Sequence, residues 1–261
     1  DLSIYIWYRL FGWAFPKIKF VRTIHNSQLW NDWKGIGKKV EAFFKKMNSN
    51  IAISDSTQSY YVKNYGGKIP PIIYNGLEEK KQKEFNGLDH SKINVLFAGR
   101  LEHQKGVEVL VNIFRKYADN DRFRLFVIGS GSLHTFVLDS LGSFEHVKII
   151  DKVYDLSSYL GSFDYLFMPS IHEGLALMSI EASMAKTPTI INKSPGLKDT
   201  LPSDWPLAVM DNDNIEYSMI FEKLPTLNKQ ELGEVAYKFA KKNFDIRVMQ
   251  LAYEDIYRAI C

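Results

Sequence analysis

Two glutamates, Glu173 and Glu181, stand eight positions apart in the stretch PSIHEGLALMSIEASMAKTPTI. A carboxylate pair can serve as general acid and base, or as two acceptors for sugar hydroxyl groups. Glu173 follows the apolar run Tyr165-Leu166-Phe167-Met168, which reads as a buried strand, and precedes Gly174. Glu181 falls within residues 177–185, a run of helix formers stopped by Thr187-Pro188. The first carboxylate is thus placed at a strand-to-helix turn and the second about one turn inside the helix. Between them lie the helix's opening N–H groups, which lack intrahelical partners and can receive an anion. The arrangement suits a ligand that is part sugar and part phosphate.

A second cluster lies upstream, in Gly99-Arg100-Leu101-Glu102-His103-Gln104-Lys105-Gly106. Arg100 can fork onto two phosphate oxygens, Lys105 adds a mobile point charge, and the two glycines permit close backbone approach. Each charge-assisted hydrogen bond is worth about 1.5–3 kcal/mol when partly shielded. Together the cations can hold a diphosphate and neutralise charge developing on it as it leaves. Gly129-Ser130-Gly131 lacks the third glycine of a dinucleotide fingerprint, since Leu133-His134 begins a helix there. It reads as a loop that lets a phosphate or base come close.

The elements that must position these residues alternate strand and helix. Strands are predicted at 93–98, 123–128, 147–150, 165–168 and 189–191, with helices at 107–117, 133–141 and 177–185 and a short one at 156–160. Short strand–helix–strand connections mean a parallel sheet covered on both faces, with ligands at the carboxyl ends of its strands. Gly99-Arg100, Gly129-Ser130-Gly131 and His172-Glu173-Gly174 all fall at such ends. The front part is thinner, with strands predicted at 20–24, ending at His25-Asn26, at 51–53 and at 71–73, and a helix at 57–65. The polar, lysine-rich stretch 77–92 reads as a linker. The predicted division is 1–89 as a partial first domain with linker, 90–243 as the ligand-binding domain, and 244–261 as a terminal helix crossing back.

The chain has 261 residues, 46% hydrophobic and 24% charged, an ordinary globular composition. No apolar run approaches the roughly 18 residues that span a bilayer. It opens on Asp1 with neither an initiator Met nor a signal pattern, which predicts a fragment of a longer protein. Cys261 is the single cysteine, so intramolecular disulfides and cysteine metal sites are excluded, and a cytoplasmic setting is expected. Residues 1–89 carry 14 Lys/Arg against 8 Asp/Glu, and the remainder 19 against 22. A basic front half suits an acidic partner surface. Nucleic acid is not expected, because no binding motif accompanies the charge. In the segment 34–47, Ile36, Val40, Phe43, Phe44 and Met47 share one helical face with Lys38, Lys39, Lys45 and Lys46 largely on the others. Such a helix packs on a core with a wet lysine face, or rests on an anionic membrane. The aromatic stretch 2–20 reads as a second interfacial anchor or as a helix without its neighbours.

GRLEHQKG, then VIGSG, then PSIHEGLALMSIEASMAKTP, in that order and spacing, resembles the retaining glycosyltransferases of family 4, which have the GT-B fold. The resemblance covers the second half closely and residues 20–77 more weakly. It implies an α/β architecture of two Rossmann-like domains with parallel sheets, the N-terminal one incomplete in this chain. It further implies a nucleoside-diphosphate sugar donor (UDP- or GDP-sugar), a lipid-linked or saccharide acceptor, and neither a cofactor nor a metal. By the resemblance Arg100 and Lys105 grip the donor diphosphate, Gly99, Gly129 and Gly131 belong to the donor-binding site, and Glu173 receives hydroxyls of the transferred sugar. Backbone amides of Gly174, Leu175, Ala176, Leu177 and Met178 face sugar and phosphate, and Glu181 binds the ribose. His25 matches the family histidine that faces the donor sugar, and Asn75-Gly76 the pair closing the first domain. The family has glycine where Ala176 and Lys186 stand here. Asp211-Asn212-Asp213 has the form of a metal-binding triplet but reads as a solvated turn. Two rival expectations are a non-catalytic nucleotide-sugar-binding module or partner subunit, and a nucleotide-sugar epimerase on the same plan.

Overall fold

The computed structural model describes residues 1–15, 17–25, 34–47 and 50–260. The chain begins with helix α1 (Leu2–Phe11), followed by β1 (Arg22–Ile24), α2 (Lys34–Met47), β2 (Asn50–Ala52) and α3 (Asp55–Tyr65). It continues through β3 (Ile93–Ala98), α4 (Val107–Tyr117), β4 (Phe123–Ile128), α5 (His134–Leu141), β5 (Val147–Ile150), β6 (Tyr165–Met168) and α6 (Leu177–Met184). The last elements are β7 (Thr189–Asn192), β8 (Ala208–Val209), α7 (Asn214–Lys223), α8 (Lys229–Phe244) and α9 (Ile246–Ile260).

β3 to β8 form one six-stranded sheet in the order β5-β4-β3-β6-β7-β8, every pairing parallel. Helices cover both faces, so β6 and β7 are buried at every position and read as continuous apolar runs rather than alternating ones. Chain order reverses between β3 and β6. Their outgoing loops therefore diverge and leave a crevice where such sheets hold ligands. Phe114, Phe126, Phe167, Tyr217 and Phe221 are at most 1% exposed, and Phe221 contacts Phe114, Tyr117, Phe123 and Phe167.

β1 and β2 form a separate parallel pair. In place of the third strand predicted at 71–73 there is a single bridge from Ala52 to Ile72. Pro70 and Pro71 have no N–H to extend the ladder, so only the Ala52 N–H to Pro71 O and Ile73 N–H to Ala52 O bonds form. β1 is also shorter than the predicted 20–24. α2 packs inward through Val40 and Phe44 while Lys38, Lys39, Lys45 and Lys46 lie exposed. Its inner face further carries Glu41, which receives both arms of the Arg22 guanidinium at 2.7 and 2.8 Å.

The stretch 77–92 is not a free linker. Phe85 is buried against Phe126, Tyr159 and Phe163, and Lys83 N–H and Phe85 N–H donate to Ser158 O and Ser162 Oγ. One aromatic residue among lysines leaves no periodic signal. The short helix predicted at 156–160 is two single 3-10 turns, Leu156–Ser158 and Leu160–Ser162. The terminal helix breaks at Asp245, where the chain crosses between the two sheets beside its earlier crossing. Leu77 N–H donates to Phe244 O and Ile246 N–H to Leu77 O. α9 then reaches β1, with Tyr253 and Thr23 hydroxyls 2.7 Å apart. No helix among the described residues is long and apolar enough to cross a membrane.

Candidate functional site

Three loops at the carboxyl ends of β3, β4 and β6 meet above the sheet. Each needs glycine for a stated reason. At Gly129 an added Cβ would lie 1.8 Å from Gly99 O, and at Gly131 it would lie 2.5 Å from Leu101 O, so the first two loops touch backbone to backbone. Gly106 is left-handed (φ +70°) and a Cβ there would lie 2.0 Å from Pro169 O, bringing the third loop against the first. Ile171 N–H donates to Gln104 O and Gln104 Nε2 to His172 O at 3.0 Å. Glu102 fixes the glycine-serine-glycine loop by accepting from Ser132 N–H and Oγ, bonds that hold its carboxyl below the usual range.

Lys105 and Glu173 are brought together. Lys105 Nζ lies 2.6 Å from Glu173 Oε1, and the side chains are only 20% and 11% exposed. Screening is weaker there than at the surface, so the pair holds its geometry better than the exposed pairs that are worth about 0–1 kcal/mol. Lys105 and Glu173 thus join the first loop to the third by a direct ion pair. Arg100 projects from the same loop, exposed and without an ion-pair partner among the described residues.

Of the amides from Gly174 to Met178, two are already engaged. Ala176 N–H donates to Gly196 O and Leu177 N–H to Leu175 O. Among the described residues the N–H groups of Gly174, Leu175 and Met178 have no protein acceptor. The open amide set is therefore narrower than the five-residue run expected from the sequence. Ala176 stands at the N-cap of α6 without a side-chain cap bond, leaving that helix start open to a ligand.

Glu181 lies one turn into α6 beside a cavity of about 250 Å³ that also takes in Gly76, Lys80, Gln82 and Ser157. Burial raises its pKa, Lys80 opposes the rise and Asp155 adds to it. Lys80 is held by Asp155 Oδ1 at 2.5 Å and Ser157 Oγ at 2.7 Å, and Asp155 is brought down to about 2, chiefly by its bond from Lys80. A larger hollow of about 420 Å³, bounded by Asp55, Tyr74, Lys193, Lys198 and Trp205, includes no residue of the three glycine loops.

His25 directly follows β1 with its side chain exposed, and Asn26 lies outside the described residues. The carbonyl of His25 abuts the third loop, since a Cβ on Gly174 would lie 2.5 Å from it. Asp211 and Asn212 are both left-handed and Asp213 caps α7 by accepting from Ile215 and Glu216 N–H, so the Asp-Asn-Asp triplet builds a turn and a cap. Lys186 is also left-handed (φ +60°), which explains the glycine of the family pattern at that position. The sequence did not reveal Lys80, Asp155 or Ser157 beside Glu181, nor Ser54, Ser56 and Asp199 beside the third loop. Only the N-cap pattern at Ser54 gives any local signal.

The fold is a parallel α/β sheet that bears cations and a carboxylate on the loops at its switch point. Residues 78–216, more than half of the chain, match the family described as glycosyl transferases group 1, and the chain belongs to that family. It is 27% identical over 267 residues to an uncharacterized 41.2 kDa protein in the cps region of Klebsiella pneumoniae, covering 93% of this chain and 72% of that relative. It is 24% identical over 208 residues to the O-antigen biosynthesis glycosyltransferase WbnH of Escherichia coli, covering 78% of this chain and 60% of WbnH. Among solved structures, sucrose-phosphate synthase from Thermosynechococcus elongatus superposes with a TM-score of 0.74 at 18% identity, covering 95% of this chain and 70% of that one. HepE of Anabaena, solved in complex with UDP-glucose, gives 0.72 at 16% identity over 92% of this chain and 72% of its own. At those identities the likeness establishes the fold, which is GT-B.

Proposed function

We propose that this chain acts as a retaining glycosyltransferase of family 4 type, moving a hexose-type sugar from a nucleoside diphosphate to a lipid-linked or saccharide acceptor in surface polysaccharide or glycolipid assembly. The Lys105–Glu173 pair carries the proposal, because it puts a phosphate grip and a hydroxyl acceptor side by side at the switch point. WbnH, named for O-antigen biosynthesis, and the UDP-glucose complex of HepE support the choice of acceptor and donor class.

In this reading Arg100 and Lys105 hold the diphosphate and offset its charge as it leaves, without a metal ion or cofactor. Glu173 takes hydroxyls of the sugar, the free amides of Gly174, Leu175 and Met178 face sugar and phosphate, and Glu181 takes the ribose. His25 faces the sugar from the β1 side. The leaving phosphate oxygen accepts the acceptor's proton on the same face of the ring, so neither glutamate acts as nucleophile. The enzyme works on the cytoplasmic side at an anionic membrane surface. Supporting this, α1 and the turn after it expose Leu10, Phe11 and Trp13 near Arg9, Lys17 and Lys19.

Melting the protein with UDP-, GDP- and ADP-sugars tests the donor class, since a ligand at 100 times its Kd stabilises by about 2.7 kcal/mol. One nucleotide should raise the melting temperature, and that donor plus an acceptor should give transfer. Donor binding without transfer or slow hydrolysis would indicate a binding module, and donor conversion without acceptor an epimerase. A flat response to every nucleotide would overturn the proposal. Co-sedimentation with anionic but not neutral vesicles checks the membrane contact.

A further inference from the structure

The first turn of α3, which belongs to the β1–β2 unit, holds the loop that carries Glu173. Ser54 caps α3 by accepting from Thr57 N–H at 3.0 Å, and its hydroxyl lies 2.8 Å from Gly174 O and 2.9 Å from Thr57 Oγ1. A hydroxyl has one proton. Either Ser54 donates it to Gly174 O, or it donates to Thr57, whose own hydroxyl then points to Gly174 O at 3.4 Å. In both arrangements the Gly174 carbonyl receives a proton from α3.

Ser56 makes the second attachment. Its hydroxyl donates to Asp199 Oδ2 at 2.8 Å and accepts from Gly196 N–H at 3.0 Å, while its own N–H donates to the same carboxylate oxygen at 3.2 Å. Gly196 in turn braces the Glu173 loop. It is left-handed (φ +75°), a Cβ on it would lie 2.1 Å from Glu173 O, and its carbonyl accepts from Ala176 N–H. Next to it, Pro195 O accepts from Glu173 N–H at 2.9 Å. The line of contacts runs from Ser56 through Gly196 to the backbone on both sides of Glu173.

We infer that Ser54 and Ser56 are positioning residues: through Gly174 and Gly196 they set where Glu173 and the free amides of Gly174 and Leu175 stand, so the donor grip is completed by the other unit. The inference rests on the donor reading above. It predicts that loosening this clasp impairs transfer more than nucleotide binding, because Arg100, Lys105 and Glu181 lie outside it. A displacement of about 1 Å at a reacting centre can cost a hundred-fold in rate.

Because Ser54 also caps α3, Ser56 carries the test. Hydrogen exchange should quicken in residues 172–178 of Ser56→Ala and stay unchanged in β3 and β4. Transfer kcat should fall about ten- to a hundred-fold, with Kd for UDP and GDP within about two-fold of wild type, and Ser56→Thr should restore both readouts. Unchanged exchange at 172–178, exchange faster throughout the chain, or kcat and nucleotide affinity falling together would each overturn the inference. If the wild type itself neither binds nucleotide nor transfers, the donor reading fails, and the exchange comparison alone still decides whether α3 holds the loop.

Discussion

Around the six-stranded sheet the largest fully buried side chains are rings: Phe114, Phe167, Tyr217 and Phe221 are all 0% exposed and touch one another. Around the two-stranded sheet the deepest groups include charges. Arg22 is 6% exposed and Glu41 1%, with the Tyr61 hydroxyl donating to Glu41 at 2.9 Å and the guanidinium 4.6 Å from the Phe44 ring centre. Burial, and then the negative charge of Glu41, push the Tyr61 hydroxyl far up from its usual range. Six strands with helices on both faces remove enough apolar surface to stand on packing alone. Two strands do not, and specificity there comes from a polar network that works only when every member is present. Packed rings tolerate a change of shape, whereas an ion pair does not tolerate the loss of one partner.

Single truncations on the two sides test that contrast most severely. Arg22→Met takes the guanidinium away from buried Glu41 and should cost about 3–5 kcal/mol, with much of it recovered on adding Glu41→Leu. Phe221→Ala should cost a similar 3–5 kcal/mol or so, while Phe221→Leu should lose under half of that. Denaturant melts of the four variants give these values. A double variant as unstable as Arg22→Met would erase the distinction.

Glu173→Ala and Arg100→Ala sharpen the comparison from the site's side, because neither side chain belongs to a core. Each should lower transfer by about a hundred- to a thousand-fold while leaving the melting temperature within a few degrees. Wild-type rates in either would sink the assignment.

The strands from 93 to 168 were legible to the residue, because buried parallel strands announce themselves as apolar runs between turn residues. The glycine loops were legible for a related reason: close backbone approach demands a residue type. The rest depended on contacts between distant positions. Ser56 and Asp199 are 143 residues apart and Lys80 and Asp155 are 75 apart, and nothing in a local window couples them. Phe85 stands among lysines, and Glu41, on a basic helix, meets Arg22 from 19 positions away.

A pH effect on ligand binding should appear in the second unit. In the proposed reading Glu181 takes ribose hydroxyls as a carboxylate, and its pKa is raised by burial. Nucleotide affinity should therefore fall as pH drops through a value above the ordinary glutamate range of about 4.3, and Glu181→Gln should flatten that limb of a binding titration. A dependence that survives in the variant would assign it to another group.

The smallest effect concerns Lys186, whose left-handed backbone strains any residue but glycine. Lys186→Gly and Lys186→Ala both remove the contacts to Glu234 and Tyr237, so their difference isolates the backbone. The glycine variant should be the more stable by about 1 kcal/mol, read as a shift in melting temperature. Equal values would mean the turn relaxes.

The two crossings between the units, at Leu77 and Asp245, lie side by side, with Gly76 so near Ile246 that a Cβ would come within 2.7 Å of its Cα. Two cables anchored at one point resist stretching and shearing but turn together. Such a joint behaves as a door hinge with a single pin, and the α3 clasp sits where a latch would be. Any opening of the mouth above Glu173 about that pin would have to break the Ser54 and Ser56 bonds.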